Sequence, residues 1–164
     1  MTKISIPIRY APTILTNRDR KSQIRAIQRS RKLYKKHMYY SRPRVPSFPH
    51  KTSKHIQNAR RMYKLDRIVP NKALSIATGC SIPALKEIVR KGEGAYYSSG
   101  SRPNQSAQSW GYARLASSVT GGNASVVDFH ILEDGCKCNS RVLQLAKERI
   151  KKGLRKTRKI LINK

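Results

Sequence analysis

Asp128 and His130 stand one residue apart in VDFHILEDGC, close to Glu133, Asp134, Cys136 and Cys138, and any catalysis would have to reside there. In a strand Asp128 and His130 would share a face and could work as a pair, whereas in a helix they point to different faces. A nucleophile, a base and an orienting group cannot all be placed around them, so the chain is not expected to be an enzyme. A metal-dependent nuclease would need several clustered carboxylates, and Asp128, Glu133 and Asp134 are the only candidates. Cys136-x-Cys138, with His130 and Cys80, supplies zinc-ligating atoms, but the paired spacings of roughly two to four residues found in structural zinc sites are absent. No catalytic residue, metal or cofactor is therefore assigned. Three cysteines are an odd number and Cys-Lys-Cys is too tight for an easy bridge, so Cys80 and Cys136 are expected to be reduced and to act as small buried hydrophobes.

The stretch GEGAYYSSGSRPNQSAQSWGYARLA, residues 92–116, is the second candidate, with one acid, three tyrosines and a tryptophan among serine, glycine, asparagine and glutamine. It lacks the Lys-Ser/Thr that follows a phosphate-binding glycine loop. Its composition is that of a recognition surface: Tyr96, Tyr97 and Trp110 offer rigid contact area, Ser98, Ser99, Asn104 and Gln105 adaptable hydrogen bonds, and Arg102 a planar donor fork. The same aromatics could instead pack into a small core. A loop that anchors them inward and presents Ser98, Ser99, Arg102 and Asn104 outward reconciles the two.

Charge is the third signal, 36 Lys and Arg against 8 Asp and Glu in 164 residues, for a net +28. Residues 1–65 hold 18 basic and 1 acidic side chain, residues 66–134 hold 7 and 6, and residues 135–164 hold 11 and 1. A near-neutral centre is flanked by basic arms, whose self-repulsion calls for nucleic acid, anionic lipid or acidic protein nearby. The expected anion contacts are Arg18, Lys21, Arg25, Arg29, Lys32, Lys35, Lys36, Arg60, Arg61, Lys151, Lys152, Arg155, Lys156, Arg158 and Lys159. No apolar run approaches the roughly 18 residues of a membrane span, and MTKISIPIRYAP lacks the apolar stretch of a signal peptide, which predicts an intracellular chain or one inside a particle assembled there.

The elements that must position these groups are mostly helical. Ile4, Ile6, Ile8 and Tyr10 alternate with polar residues and Pro7, which predicts an extended arm over 1–16, a candidate for addition to a partner's sheet edge. Thr16-x-x-Asp19 has capping-box spacing before Ile24, Ile27, Tyr34 and Met38, predicting a helix from about 17 to about 39. A Pro-rich connector (41–50) leads to a second basic helix with Ile56, Ala59, Met62 and Tyr63 inward, completing a basic helical segment over 17–65. A near-neutral helical core follows over 66–134. There Gly79 and Gly92 read as helix stops, Ser81 as a cap and Trp110, Ala113, Leu115 and Val119 as one helical face. Residues 124–133 fit strand or helix, and helical neighbours favour helix. Asn139 is expected to cap a basic C-terminal helix and tail over 135–164. The fold class is mainly α, a small helical central unit with an extended N-terminal arm and a long C-terminal helix.

The segments RYAPTILTNRDRKSQ, SRKLYKKHMYYSR, TGCSIPALKEIVRKGEGAYYSSGSRPNQSAQSWGYARLASSVTGG and VDFHILEDGC resemble a family of small basic proteins from large double-stranded DNA viruses of algae and protists. The resemblance runs from about Arg9 to about Cys138, and Cys138 departs from its pattern. It implies a virion component assembled in host cytoplasm and supplies no catalytic residue. Two functions are then expected. In the first, the chain is a non-enzymatic minor capsid protein on the inner side of an icosahedral shell, contacting the major capsid protein and other minor capsid proteins and bridging capsomers to one another or to the internal membrane. In the alternative, it condenses or packages viral DNA by neutralising phosphates. The neutral, aromatic centre favours the first, because a pure condenser needs only charge.

Overall fold

The computed structural model describes residues 4–162. They are mainly helical, with eight α-helices and one two-stranded ribbon among the described residues. By contacts the chain divides into two compact units, one built from residues 4–51, 94–107 and 156–162 and the other from 52–93 and 108–155.

In the first unit β1 (Ile4–Pro7) pairs antiparallel with β2 (Lys159–Ile162), with Ile4 opposite Ile162 and Pro7 opposite Lys159. The period-two pattern of the first residues is thus matched by a strand of the same chain. Pro7 closes the strand, where a missing N–H costs least, and the next N–H, of Ile8, donates to the Arg158 carbonyl at 2.9 Å. The C-terminal segment is accordingly a helix that stops at Lys152, followed by a strand, and not helix throughout.

Helix α1 (Asn17–Tyr34) starts where the sequence places it, with the Thr16 hydroxyl accepting from the Asp19 N–H at 3.2 Å. The second half of a capping box does not form. Asp19 accepts instead from the Ser47 N–H at 2.9 Å, while the Thr16 N–H donates to Ser47 Oγ at 3.2 Å. The helix ends at Tyr34, short of residue 39. His37, in the left-handed region at φ 57°, turns the chain so that the Met38 N–H reaches the Leu33 carbonyl at 3.0 Å and the His37 N–H the Tyr34 carbonyl at 2.9 Å, a Schellman closure. The buried face is Gln23, Ala26, Ile27 and Ser30, whereas Met38 is 46% exposed. Gln23 can be interior because its Nε2 donates to the carbonyls of Tyr10 (3.1 Å) and Ser101 (3.4 Å).

The second unit contains α2 (Lys54–Tyr63), α3 (Lys72–Thr78), most of α4 (Ile82–Ser98), all but the first residue of α5 (Ala107–Val119), α6 (Asn123–Val127), α7 (Phe129–Gly135) and α8 (Arg141–Lys152). Leu74, Leu85, Ile88, Leu115, Val119, Leu132 and Val142 form its fully buried centre. Asn71 caps α3, and Gly79 ends it as the sequence implies. Gly92 does not end α4. It lies against Gly111 of α5, so close that a Cβ on Gly92 would sit 2.6 Å from the Gly111 Cα and one on Gly111 would sit 2.7 Å from the Val89 carbonyl oxygen. The glycine marks a helix crossing. The cap of α8 is Ser140, one residue after Asn139, its hydroxyl accepting from the Leu143 N–H at 3.3 Å. Residues 124–133 are helical but broken at Asp128.

Cys80 and Cys136, expected as reduced thiols, are joined in a disulfide, and Cys138 is free and exposed. The two bridged residues face each other in an isolated antiparallel bridge flanked by hydrogen bonds from the Ser81 N–H to the Gly135 carbonyl (2.7 Å) and from the Lys137 N–H to the Gly79 carbonyl (2.9 Å). They occupy a non-hydrogen-bonded pair position, where side chains approach most closely. Cysteine spacing along the chain carries no trace of this juxtaposition.

Candidate functional site

Helix α1 carries the most concentrated feature. Arg18, Lys21, Arg25, Arg29 and Lys32 follow one another at intervals of three, four, four and three residues, which on a 3.6-residue helix is a single row along one face. All five are exposed, Lys36 extends the row past the helix end, and Lys35 lies beside it. At 1.5 Å per residue the helical part of the row is about 20 Å long. Asp19 is the only acid in the first 65 residues, and its carboxylate accepts a hydrogen bond from Ser47. Hydrogen bonds from Ser47, its side chain first and then its backbone, hold Asp19 below the usual carboxylate range. Arg114 with Asp128 is the only salt bridge among the described residues; within the row Arg18 alone feels a carboxylate, that of the neighbouring Asp19, and Lys21, Arg25, Arg29 and Lys32 form no salt bridge with a described residue.

The remaining expected anion contacts are also at the surface. Arg60 and Arg61 of α2 border an open groove with Gln57, Lys64, Leu65 and Asp66. Lys151, Lys152 and Arg155 are exposed in the second unit, and Lys156, Arg158 and Lys159 in the first.

The uncharged stretch behaves differently from a free loop. α4 continues through Tyr96 and Tyr97 to Ser98, and Tyr96 is only 1% exposed. Its burial is organised by Arg42, a residue that sequence reasoning missed in the Pro-rich connector. The Arg42 guanidinium lies 3.7 Å from the Tyr96 ring centroid. Its Nη1 donates to the Tyr96 carbonyl at 2.6 Å and Ser30 Oγ at 3.1 Å, its Nη2 to Ser101 Oγ at 2.7 Å, and its own N–H to the Tyr96 hydroxyl at 3.1 Å. Burial pushes this guanidinium below its ordinary pKa, and neutral oxygens and a π face stand in for a carboxylate. Arg31 is held similarly, its Nε donating to the Ser99 carbonyl at 2.8 Å and its Nη1 to the Ser5 carbonyl at 3.3 Å, with burial again lowering its pKa. Asn104, left-handed at φ 61°, accepts from the Val45 N–H at 2.7 Å and donates to the Val45 carbonyl at 3.1 Å.

The expected contact residues therefore separate. Tyr96 is interior, and Asn104, though exposed, is committed to the connector backbone. Tyr97 and Gln105 are half-buried, Ser98, Ser99 and Arg102 are exposed, and Trp110 is half-buried in α5 within the second unit. No motif distinguished Arg42 from the other basic residues, because only the folded chain brings Ser30, Tyr96 and Ser101 around it.

Of the candidates for chemistry, Asp128, His130, Cys80 and Cys136 have partners within the fold, while Glu133, Asp134 and Cys138 are exposed. Asp128 is fully buried and takes a bidentate bond from Arg114 (Nε 2.8 Å, Nη2 2.7 Å) and one from Ser118 Oγ at 3.2 Å. It joins α6 to α7, and His130 Nε2 lies instead 3.1 Å from Lys91 Nζ. The disulfide occupies Cys80 and Cys136. Among the described residues no three His, Cys, Asp or Glu side chains are placed to hold a metal ion, and no helix is long and apolar enough to cross a membrane. What the exposed groups can do is attract anions at fixed positions. A family model described as a family of unknown function (DUF5824) matches residues 7–132. No curated protein and no solved structure matches the chain.

Proposed function

We propose, from the premise that this chain belongs to the family of unknown function DUF5824, that it is a non-enzymatic structural protein that docks through α1 on an anionic partner surface. The row Arg18, Lys21, Arg25, Arg29 and Lys32 carries the reading. Five exposed cations on one face of a capped helix, with the Asp19 carboxylate beside Arg18 as the only acid on that helix, call for an external counter-charge. The viral resemblance of the sequence supplies the setting. In this proposal the chain is a minor capsid protein under the shell of a large double-stranded DNA virus, where acidic faces of capsid subunits or the internal membrane meet the row.

The stretch 96–105 supports this reading in a changed role. Through Arg42, Arg31 and Asn104 it braces α1 and the 42–48 connector, so that the cations are presented at defined positions rather than on a random coil. Gentle disruption of purified particles tests the proposal. The chain should remain with the capsid shell, and recovery solely with the DNA-containing core would overturn it. Phosphate neutralisation is the second reading, favoured by one observation: cations spaced one helical turn apart suit a linear polyanion. In that case DNA affinity should fall with salt with a log-log slope of about -0.9 per phosphate neutralised.

A further inference from the structure

The C-terminal end of α1 bears a feature that charge alone does not explain. Past the Schellman closure at His37 the chain brings Tyr39 back against Tyr34 and Tyr97, with ring centroids 6.1 and 5.1 Å away and both pairs inclined at 66°. Tyr34 and Tyr97 lie almost parallel, 6° apart in plane, at 6.3 Å. Tyr97 in turn packs edge-on to Tyr96 at 5.0 Å, and Tyr96 is fixed by the half-buried Arg42. Tyr39 is therefore held on a rigid aromatic base, yet 70% of it remains exposed. Exposed cations lie close in the chain: Lys35 and Lys36 stand four and three residues before it, and Arg29 lies over the ring of the adjacent Tyr40 at 4.7 Å.

We infer that Tyr39 on its Tyr34–Tyr97 base is a stacking platform for an unpaired base, with the cation row of α1 following the adjoining phosphates, so that this surface binds single-stranded nucleic acid. The inference rests on the anion-binding row proposed above and goes beyond it by naming a ligand with two chemistries. An acidic protein face or a lipid headgroup meets the lysines and arginines but offers no flat π surface for a supported tyrosine. Duplex DNA offers phosphates, but its base faces are already stacked within the helix. A single strand exposes both, and base–aromatic stacking is tolerant of sequence, as expected of a surface with no base-reading side chains. Holding the aromatic in place beforehand reduces the ordering cost on binding.

The test titrates the full chain with labelled oligodeoxythymidylate, oligouridylate and a DNA duplex of equal length, and with inorganic polyphosphate, which has charge without bases. The single strands should bind more tightly than the duplex, and the two strands differ if sugar chemistry matters. Tyr39→Ala, at a largely exposed side chain, should weaken the single strands about fivefold or more while leaving polyphosphate unchanged. Tyr39→Phe should restore binding, and Arg25→Ala should weaken every probe. If Tyr39→Ala leaves single-strand affinity intact, or if duplex and polyphosphate bind as tightly as the strands, the platform is wrong. A loss confined to Arg25→Ala would then leave the cation row standing alone, and a wild-type chain that binds none of the four probes removes the platform and phosphate neutralisation together, leaving docking on the shell to the particle-disruption experiment.

Discussion

Tyr63 carries a stability effect that depends on pH. Its hydroxyl donates to the Val119 carbonyl, and burial pushes the phenol up from 10.0 to about 12, with nearby Arg141 opposing the shift. The unfolded chain loses this proton near pH 10 and the folded chain keeps it to about 12. Below that window the stabilisation is complete, and it is lost as pH rises through it. Tyr63→Phe removes the titrating group, so the stability of wild type should fall more steeply than that of Tyr63→Phe between about pH 10 and 12 in parallel denaturant titrations. Parallel decline would mean that the phenol is not held neutral. Arg42 is a half-buried cation whose hydrogen bonds go to a carbonyl and two hydroxyls and which lies over a ring, while burial and the nearby Arg31 both lower its pKa. Lysine could not reproduce that planar, forked set of contacts.

Among the elements, α4 and α5 meet through glycine. Gly92 and Gly111 approach so closely that neither tolerates a Cβ without backbone movement, since the nearest atoms belong to main chain. Gly111→Ala should therefore destabilise the second unit by about 1–3 kcal/mol despite the better helix propensity of alanine. The midpoint of chemical denaturation measures this, and an unchanged or raised midpoint would show that the crossing can open. Much of the helix plan was legible: Thr16, Ser81 and Gly79 punctuate helices where the sequence places them, because caps are local chemistry within one turn. Gly92 and the end of α1 were not. A glycine that stops a helix and one that lets two helices touch are identical in sequence, and His37 adopts a conformation that ordinarily marks glycine.

For the molecule as a whole, the disulfide and the net charge of +28 act in opposite directions. Self-repulsion favours expansion, while a bridge between residues 56 apart restricts the unfolded ensemble, which in the loop-entropy account is worth about 4 kcal/mol. Reduction should lower the thermal midpoint, and the lowering should be largest at low salt, where repulsion is least screened. Thiol counting provides the companion measurement: Cys138 alone should react without reductant in the folded chain. Reaction of all three cysteines without reductant would refute the bridge.

The amino-acid sequence by itself determined the helical class, the segregation of charge and the cation row on α1, since these follow from residue type and periodicity within one helix. Tertiary structure alone decided that the terminal segments 4–7 and 159–162 pair with each other, that Cys80 meets Cys136, and that Asp128 is a buried ion-pair partner. It also placed Arg42 under Tyr96 and left Tyr39 exposed on a supported ring. These features join residues distant in the chain, and their energies depend on burial and contact geometry, which local sequence pattern does not encode.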